Sequence, residues 1–419
     1  MRCFFPELSF PGQQIFSMFK NTLYLFAGRI SNAVFLFLLT LVVSRQLGPA
    51  LFGVFSFLTT VVIAASCFAN LGLDTWMVRE ITKDPERGRH YLSNILGLKT
   101  GASLTTIGLI LLIFQLADLP ETTRHLLWVI SASVLFNSLS QTLWHYGNCF
   151  KQFIYHSALW ASSNIIKSTL GIVLVLLYHE LEPLVWGVVI AEAVTLVISF
   201  IVIRKRFGKF VPEFNFPVLK EFTGRSGPIA FGVIFSVLYF RLDIVMLQMM
   251  TEEKIVGWYS AAYRLFEVTL LLPHSFMLVL FPTLVEEYHG DRLKFKASFQ
   301  KAVGIFSIIG GGITVGFWLF SDEIITLIYG EKFLPSVGVL NLLSAAVFLF
   351  FMNFLLSNTL ITSGREMINA WNLVAATTLN VLLNLALIPE YGAEGAAWAT
   401  VFCEGALVMA MSLQVRKVI

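Results

Sequence analysis

Charge is scarce in this chain. Only 13% of its 419 residues are Asp, Glu, Lys or Arg, against about 25% in a soluble globular domain. Between Gln46 and Leu73 there is no charged residue at all. A chain so poor in charge cannot clothe a water-facing surface, which excludes an ordinary soluble protein. The formal net charge of +3 is small and its sum says little about partners; no nucleic acid is implied. Cysteine is scarce too. Cys3, Cys67, Cys149 and Cys403 lie far apart with no CxxC spacing, which argues against a zinc site or a disulfide framework. The seven histidines form no HExxH, and neither a P-loop lysine nor a GxSxG is present. The run Gly310-Gly311-Gly312 sits inside an apolar stretch, where close helix packing or a hinge fits better than a phosphate cradle. No enzyme motif and no cofactor therefore follow from the residues. The opening MRCFFPELSFPGQQ has two prolines and no small-residue cleavage site, so it reads as an interfacial arm, or as an over-extended start upstream of Met18, rather than as a signal peptide.

What is abundant is apolar sequence: 57% hydrophobic residues and a mean hydropathy of +0.77. Runs long enough to span a bilayer, about 20 residues each, lie near 22–43, 51–78, 91–115, 125–149, 155–178 and 183–203, and again near 226–250, 255–282, 297–320, 334–362, 366–388 and 394–415. The expected architecture is an all-α integral membrane protein of about 12 transmembrane helices. It divides into an arm (1–21), an N-terminal lobe (22–203), a basic cytoplasmic linker (204–225), a C-terminal lobe (226–415) and a short tail (416–419). With the N-terminus inside, about twenty Lys and Arg fall on inside segments. The outside loops hold only Arg45, Arg124, Lys254 and Lys332. That bias places both termini in the cytoplasm.

The two groups of six are repeats. Phe26–Ser56 aligns without gaps on Ala230–Ser260, so that Gly28 falls on Gly232 and the restart GVFS at Gly53 falls on GWYS at Gly257. Near the end of each half, the run from Trp186 to Glu192 falls on that from Trp398 to Glu404. Six helices return the chain to its starting side, so the halves are parallel repeats, a transporter feature with the substrate site between them.

Ionisable residues at membrane depth carry what chemistry there is, because each needs a partner or a watery cavity. Arg29, with Asn32 on the same helix face, together with Lys167, Arg241 and Arg264, form a row of cations that could pass an anion. Arg29 falls on Val233 and Arg241 on Phe37 in the repeat, which suggests two stations at different depths. The same residues admit plainer readings. Arg264 and Glu267 are three apart and can neutralise each other, Arg241 and Asp243 can each pair across helices, and Lys99 and Asp74 can snorkel to the inner surface. Glu192 and Glu404 occupy matching positions and are either coupling-proton sites or packing anchors; Asp74 and Asp243 join them as coupling or packing candidates. Pro273 is expected to kink its helix.

The segments SRQLGPALFGVFSF (44–57), GLDTWMVREI (72–81), YFRLDIVML (239–247), KIVGWYSAAYRL (254–265), LIYGEKFLPSVGVLNLLS (327–344) and PEYGAEGAAWATVFCE (389–404) resemble the polysaccharide repeat-unit (O-antigen type) flippases. These belong to the superfamily of multidrug, oligosaccharidyl-lipid and polysaccharide exporters. The resemblance implies two six-helix lobes around a central cavity. It also implies movement of a polyprenyl-pyrophosphate-linked oligosaccharide to the outer leaflet of the cytoplasmic membrane by alternating access, alongside polysaccharide assembly proteins. Cavity cations are a family trait that Arg29, Lys167, Arg241 and Arg264 match by type and depth. With no ATP site visible, an H+ or Na+ gradient is the expected energy source. Two other readings stand beside it: a drug or cation antiporter of the same fold, which would favour acidic residues in the cavity, and a membrane glycosyltransferase or polymerase, which would need a polar loop with paired carboxylates that 204–225 lacks.

Overall fold

A computed structural model describes residues 11–213 and 216–419, with side chains described for residues 28, 31–213, 232 and 234–419. Every long element is a helix: α1 (Pro11–Asn70), α2 (Leu73–Lys83), α3 (Gly88–Leu116), α4 (Glu121–Cys149), α5 (Phe153–Tyr178), α6 (Leu181–Phe207), α7 (Phe216–Met250), α8 (Glu253–Thr269), α9 (Leu271–Gly290), α10 (Arg292–Tyr329), α11 (Ser336–Thr362) and α12 (Glu366–Val415). Among the described residues, nine helical stretches are long and apolar enough to cross a membrane. Backbone polar groups cannot be left open in lipid, and a helix satisfies them within one segment.

The breaks fall where backbone chemistry puts them. The helix α1 turns sharply at Gly48, whose φ of 77° is in the left-handed region, directly before Pro49. Likewise α12 is broken at Gly392, φ 54°, three residues after Pro389. The helix predicted over 51–78 stops earlier, at Asn70, because Leu71 and Gly72 turn through positive φ. A separate amphipathic helix, α2, follows with Trp76, Met77 and Ile81 buried; the apolar run was continuous enough to hide this boundary. Pro273 lies in the first turn of α9, and the break comes just before it at Leu270, since proline cannot donate to the carbonyl four residues back.

Two compact units emerge from the packing. One comprises Met1–Val42, Ala65–Leu116 and Arg124–Ala230; the other comprises Val43–Ala64, Ala117–Thr123 and Phe231–Ile419. In the first, α2 docks through Trp76, whose ring meets Tyr91 edge-on at 5.4 Å, into a core with Ile95, Leu143 and Ile203. Phe207 at the end of α6 stacks on Phe150 at 5.1 Å. Gly171 and Gly187 let α5 and α6 approach until Leu184 and Leu174 fill the space a Cβ would take, the small-residue packing typical of membrane helices. In the second unit α11 is largely enclosed, with Leu343, Val347, Phe351 and Leu355 buried. Gly310, the first of the glycine triplet, rests against the Phe351 ring, whereas among the described residues no neighbouring element comes within 4 Å of where a Cβ on Gly311 or Gly312 would lie. Apolar side chains such as Val197, Ile308, Leu327 and Met409 stay exposed, as they must where the neighbouring solvent is lipid.

Candidate functional site

The ionisable side chains at membrane depth sort into three kinds of arrangement. In the first unit, Lys99 and Asp74 form a buried pair. The ammonium of Lys99, fully enclosed, donates to both carboxylate oxygens of Asp74 at 2.9 Å and to the Ser138 carbonyl at 3.1 Å. Thr142 donates to Asp74 Oδ1 at 2.8 Å, and His145 Nδ1 lies 3.9 Å from Oδ2. Neither group snorkels; the pair ties α2 to α3 and α4. Lys167 is likewise matched: its Nζ is 2.5 Å from Glu192 Oε1, and Asn137 donates to the same carboxylate. A Lys167 so paired contributes no net charge, and Glu192 is anchored rather than open.

The second kind is a triad with an excess of positive charge. Arg241 on α7 reaches Glu267 on α8 at 2.8 Å, and Arg264, one turn before Glu267, reaches the other carboxylate oxygen at 2.9 Å. Two guanidiniums share one carboxylate, which leaves one net positive charge. All three side chains keep some exposure, 16% for Arg241, 14% for Arg264 and 21% for Glu267. Arg241 Nη1 finds no acceptor among the described residues. The Tyr329 hydroxyl, within electrostatic reach of Arg264 and Glu267, also lacks a partner among them. Spare planar donors on a net positive centre are what a phosphate or carboxylate requires. The sequence offered Arg264 and Glu267 as a self-neutralising pair; Arg241 breaks that balance from a neighbouring helix, which spacing on one helix cannot reveal.

The third kind is a carboxylate held only by neutral groups. Asp243 is buried, accepting from Tyr259 at 2.7 Å, Asn384 at 2.7 Å and Thr400 at 3.0 Å, with Asn380 also in hydrogen-bonding reach. The Asn384 Oδ1 has no donor among the described residues. Glu404 accepts from Tyr239 at 2.7 Å and from Asn353 at 2.6 Å. No cationic side chain pairs with Asp243 or Glu404 among the described residues, in contrast to Asp74 and Glu192. A buried carboxylate without a counter-charge is costly unless it takes up a proton or a cation. Tyr259, Asn380, Asn384 and Thr400 were not singled out from the sequence; the one available signal was Asn380 and Asn384, one turn apart in an apolar run.

Asn32 is half-buried in α1. The Arg29 side chain lies outside the described residues, so the expected pairing of two stations rests on Arg241 alone in the structure.

This arrangement defines an all-α, multi-pass membrane protein with the fold of flippases and multidrug transporters. The lipid II flippase MurJ in an inward closed conformation is similar with a TM-score of 0.75 and 17% sequence identity, covering 95% of this chain and 87% of that one. A multidrug resistance MATE family transporter in an inward-facing conformation has a TM-score of 0.69 at 15% identity, covering 92% and 95%. The chain belongs to the polysaccharide biosynthesis protein family, which it matches over residues 18–287. It is similar to the "Probable low-salt glycan biosynthesis flippase Agl15" of Haloferax volcanii, 23% identical over 91% of this chain and 80% of that protein. The capsular polysaccharide biosynthesis protein CapF of Staphylococcus aureus is 22% identical over 91% and 94%.

Proposed function

We propose that the protein is a flippase, not an enzyme, and that it carries a polyprenyl-pyrophosphate-linked oligosaccharide across the cytoplasmic membrane by alternating access. Both termini face the cytoplasm in this reading, and polysaccharide assembly proteins act on the delivered unit. The observation that carries the reading is the Arg241–Glu267–Arg264 triad, a net positive centre with an unbonded guanidinium nitrogen at membrane depth. A pyrophosphate would enter there, held by the two arginines, with the isoprenoid tail left in lipid and Asn32 and other polar groups facing the sugars. Its family and its flippase-named relatives support the same cargo class. The neutral cradle of Asp243 supplies a route to ion coupling: a buried carboxylate held only by amide and hydroxyl donors suits uptake of a single proton, or of one dehydrated Na+ once the Asn380 and Asn384 amides turn their oxygens toward it. In this division of roles Asp74 and Glu192 are packing anchors.

The test is surface polysaccharide in cells depending on this protein. Arg241→Ala at normal protein level is expected to reduce polymer strongly, and unchanged polymer would count against the triad. Asp243 and Glu404, acidic and without cationic partners, favour a second reading, a cation or drug antiporter of the same fold. That reading requires proton- or sodium-driven efflux of an organic cation with no effect of the protein on polysaccharide.

A further inference from the structure

The two repeats touch through a reciprocal backbone contact. Built on Gly53, a Cβ would overlap the Glu253 carbonyl oxygen and lie 2.7 Å from Gly257 N. Built on Gly257, it would overlap the Pro49 carbonyl oxygen and lie 2.7 Å from the Pro49 carbonyl carbon. The alignment of Phe26–Ser56 on Ala230–Ser260 places Pro49 on Glu253 and Gly53 on Gly257. The Gly53–Glu253 contact therefore maps onto the Pro49–Gly257 contact when each residue is exchanged for its counterpart in the other repeat, the signature of an interface built on a two-fold axis. In parallel repeats that axis runs along the membrane normal, where the cargo path lies.

Three further contacts ring this crossing, all in the second unit. Arg45 donates to the Ile328 carbonyl at 2.8 Å and to that of Leu327, satisfying the open end of α10. Phe52 packs on Phe333 at 5.8 Å and on Tyr329 at 6.3 Å. Thr123 donates to Glu253 Oε1 at 2.6 Å. Among the described residues no side chain fills the crossing itself, and the polar contacts that ring it include an exposed arginine on carbonyls and the buried Thr123 hydroxyl on a carboxylate, bonds that water can replace once the crossing opens. The segment that makes the contact, Val43–Ala64, packs in a different compact unit from the chain on either side of it, Met1–Val42 and Ala65–Leu116. That segment holds the turn at Gly48 and most of the returning arm, so the two arms of one helical hairpin belong largely to different packing units, an arrangement suited to exchanging one set of neighbours for another.

We propose that Gly53 and Gly257 are the gating residues of the transport cycle: their bare backbones seal the outer end of the path, and they must separate for cargo to leave. The word "outer" rests on the orientation proposed above. Alanine at either position forces the helices apart by about an ångström before the methyl group reaches an ordinary C···O distance, which disfavours the sealed state.

The experiment uses the full-length protein with its four native cysteines replaced, carrying Thr123→Cys and Glu253→Cys, in proteoliposomes with a fluorescent polyprenyl-pyrophosphate oligosaccharide. Oxidation is expected to cross-link the pair and to lower flipping about tenfold or more, with recovery on reduction. Adding Gly53→Ala or Gly257→Ala is expected to slow cross-linking about tenfold in protein that remains monodisperse, whereas Gly311→Ala, with open space around it, leaves cross-linking unchanged. Flipping at full rate in the cross-linked protein, or cross-linking unaffected by both alanines, overturns the proposal. If the reduced protein moves no lipid-linked oligosaccharide, the cargo assignment fails, and the clasp is decided by the cross-linking rates alone.

Discussion

Replacing Lys99 by methionine removes a cation from a site with no access to solvent. Lys99 is fully enclosed, and the Asp74 side chain is 4% exposed. The carboxylate loses both 2.9 Å bonds and keeps only Thr142 and the more distant His145. Orphaning one member of a buried ion pair costs about 3–5 kcal/mol, and Asp74→Leu should cost a similar amount by stranding the ammonium. The double variant K99M/D74L strands nothing and puts apolar groups of comparable volume in the same space, so it is expected to fall within about 2 kcal/mol of the parent. The resulting interaction energy, at least about 4 kcal/mol in magnitude, is far above the few tenths expected of independent sites. Unfolding in detergent, followed for the parent, both single variants and the double variant, measures it. If K99M costs less than about 1 kcal/mol, water reaches the pair. Asp74 then returns to the group of coupling candidates, and its reading as the anchor of α2 is wrong.

Three other outcomes follow from the same arrangements. In the Arg241–Glu267–Arg264 triad, R241A cancels the excess charge and is expected to slow flipping roughly 10- to 100-fold, the loss of one charge-assisted bond of about 1.5–3 kcal/mol. R241A/E267A leaves Arg264 as a free cation and is expected to flip faster than R241A, and a double variant no better would show that Arg241 acts by position rather than by charge. Asp243→Asn preserves the hydroxyl donors but removes the negative charge, so flipping should lose its dependence on an ion gradient in protein that folds normally; retained dependence places coupling elsewhere. Outside the spans, Asp291 accepts from the backbone of Lys294 and Leu293 at the start of α10, which holds its carboxyl below the usual range. Its contribution to stability is therefore present above the unfolded aspartate pKa of about 3.9 and is lost as pH falls through the lower folded value. Asp291→Ala should lack that acid-side loss in pH-dependent melting, and identical profiles would refute it.

Much of the fold was written in local features. Long uncharged runs gave helices, and Gly48-Pro49 and Pro273 marked breaks, because each acts through the backbone of its own neighbours. The boundary at Leu71-Gly72 was missed since apolar periodicity continues through Met77 in α2 while the chain direction changes. Charges were legible as costly but not as paired. Nothing near Lys167 in sequence announces Glu192, twenty-five residues on, and nothing near Arg264 announces Arg241. The distinction between anchored carboxylates (Asp74, Glu192) and those held by neutral donors (Asp243, Glu404) depends on what neighbouring helices present. The repeat was the long-range signal that did survive, and it carried the Gly53–Gly257 correspondence to the contact those residues make.

The central claim is most directly tested by reconstituting the purified protein in proteoliposomes with a fluorescent polyprenyl-pyrophosphate oligosaccharide and following its exposure to an impermeant quencher, with and without a proton or sodium gradient. Transbilayer movement above protein-free vesicles, accelerated by one of the gradients and suppressed in R241A, is the expected result. No movement under any gradient, with an organic cation transported instead, would contradict the account.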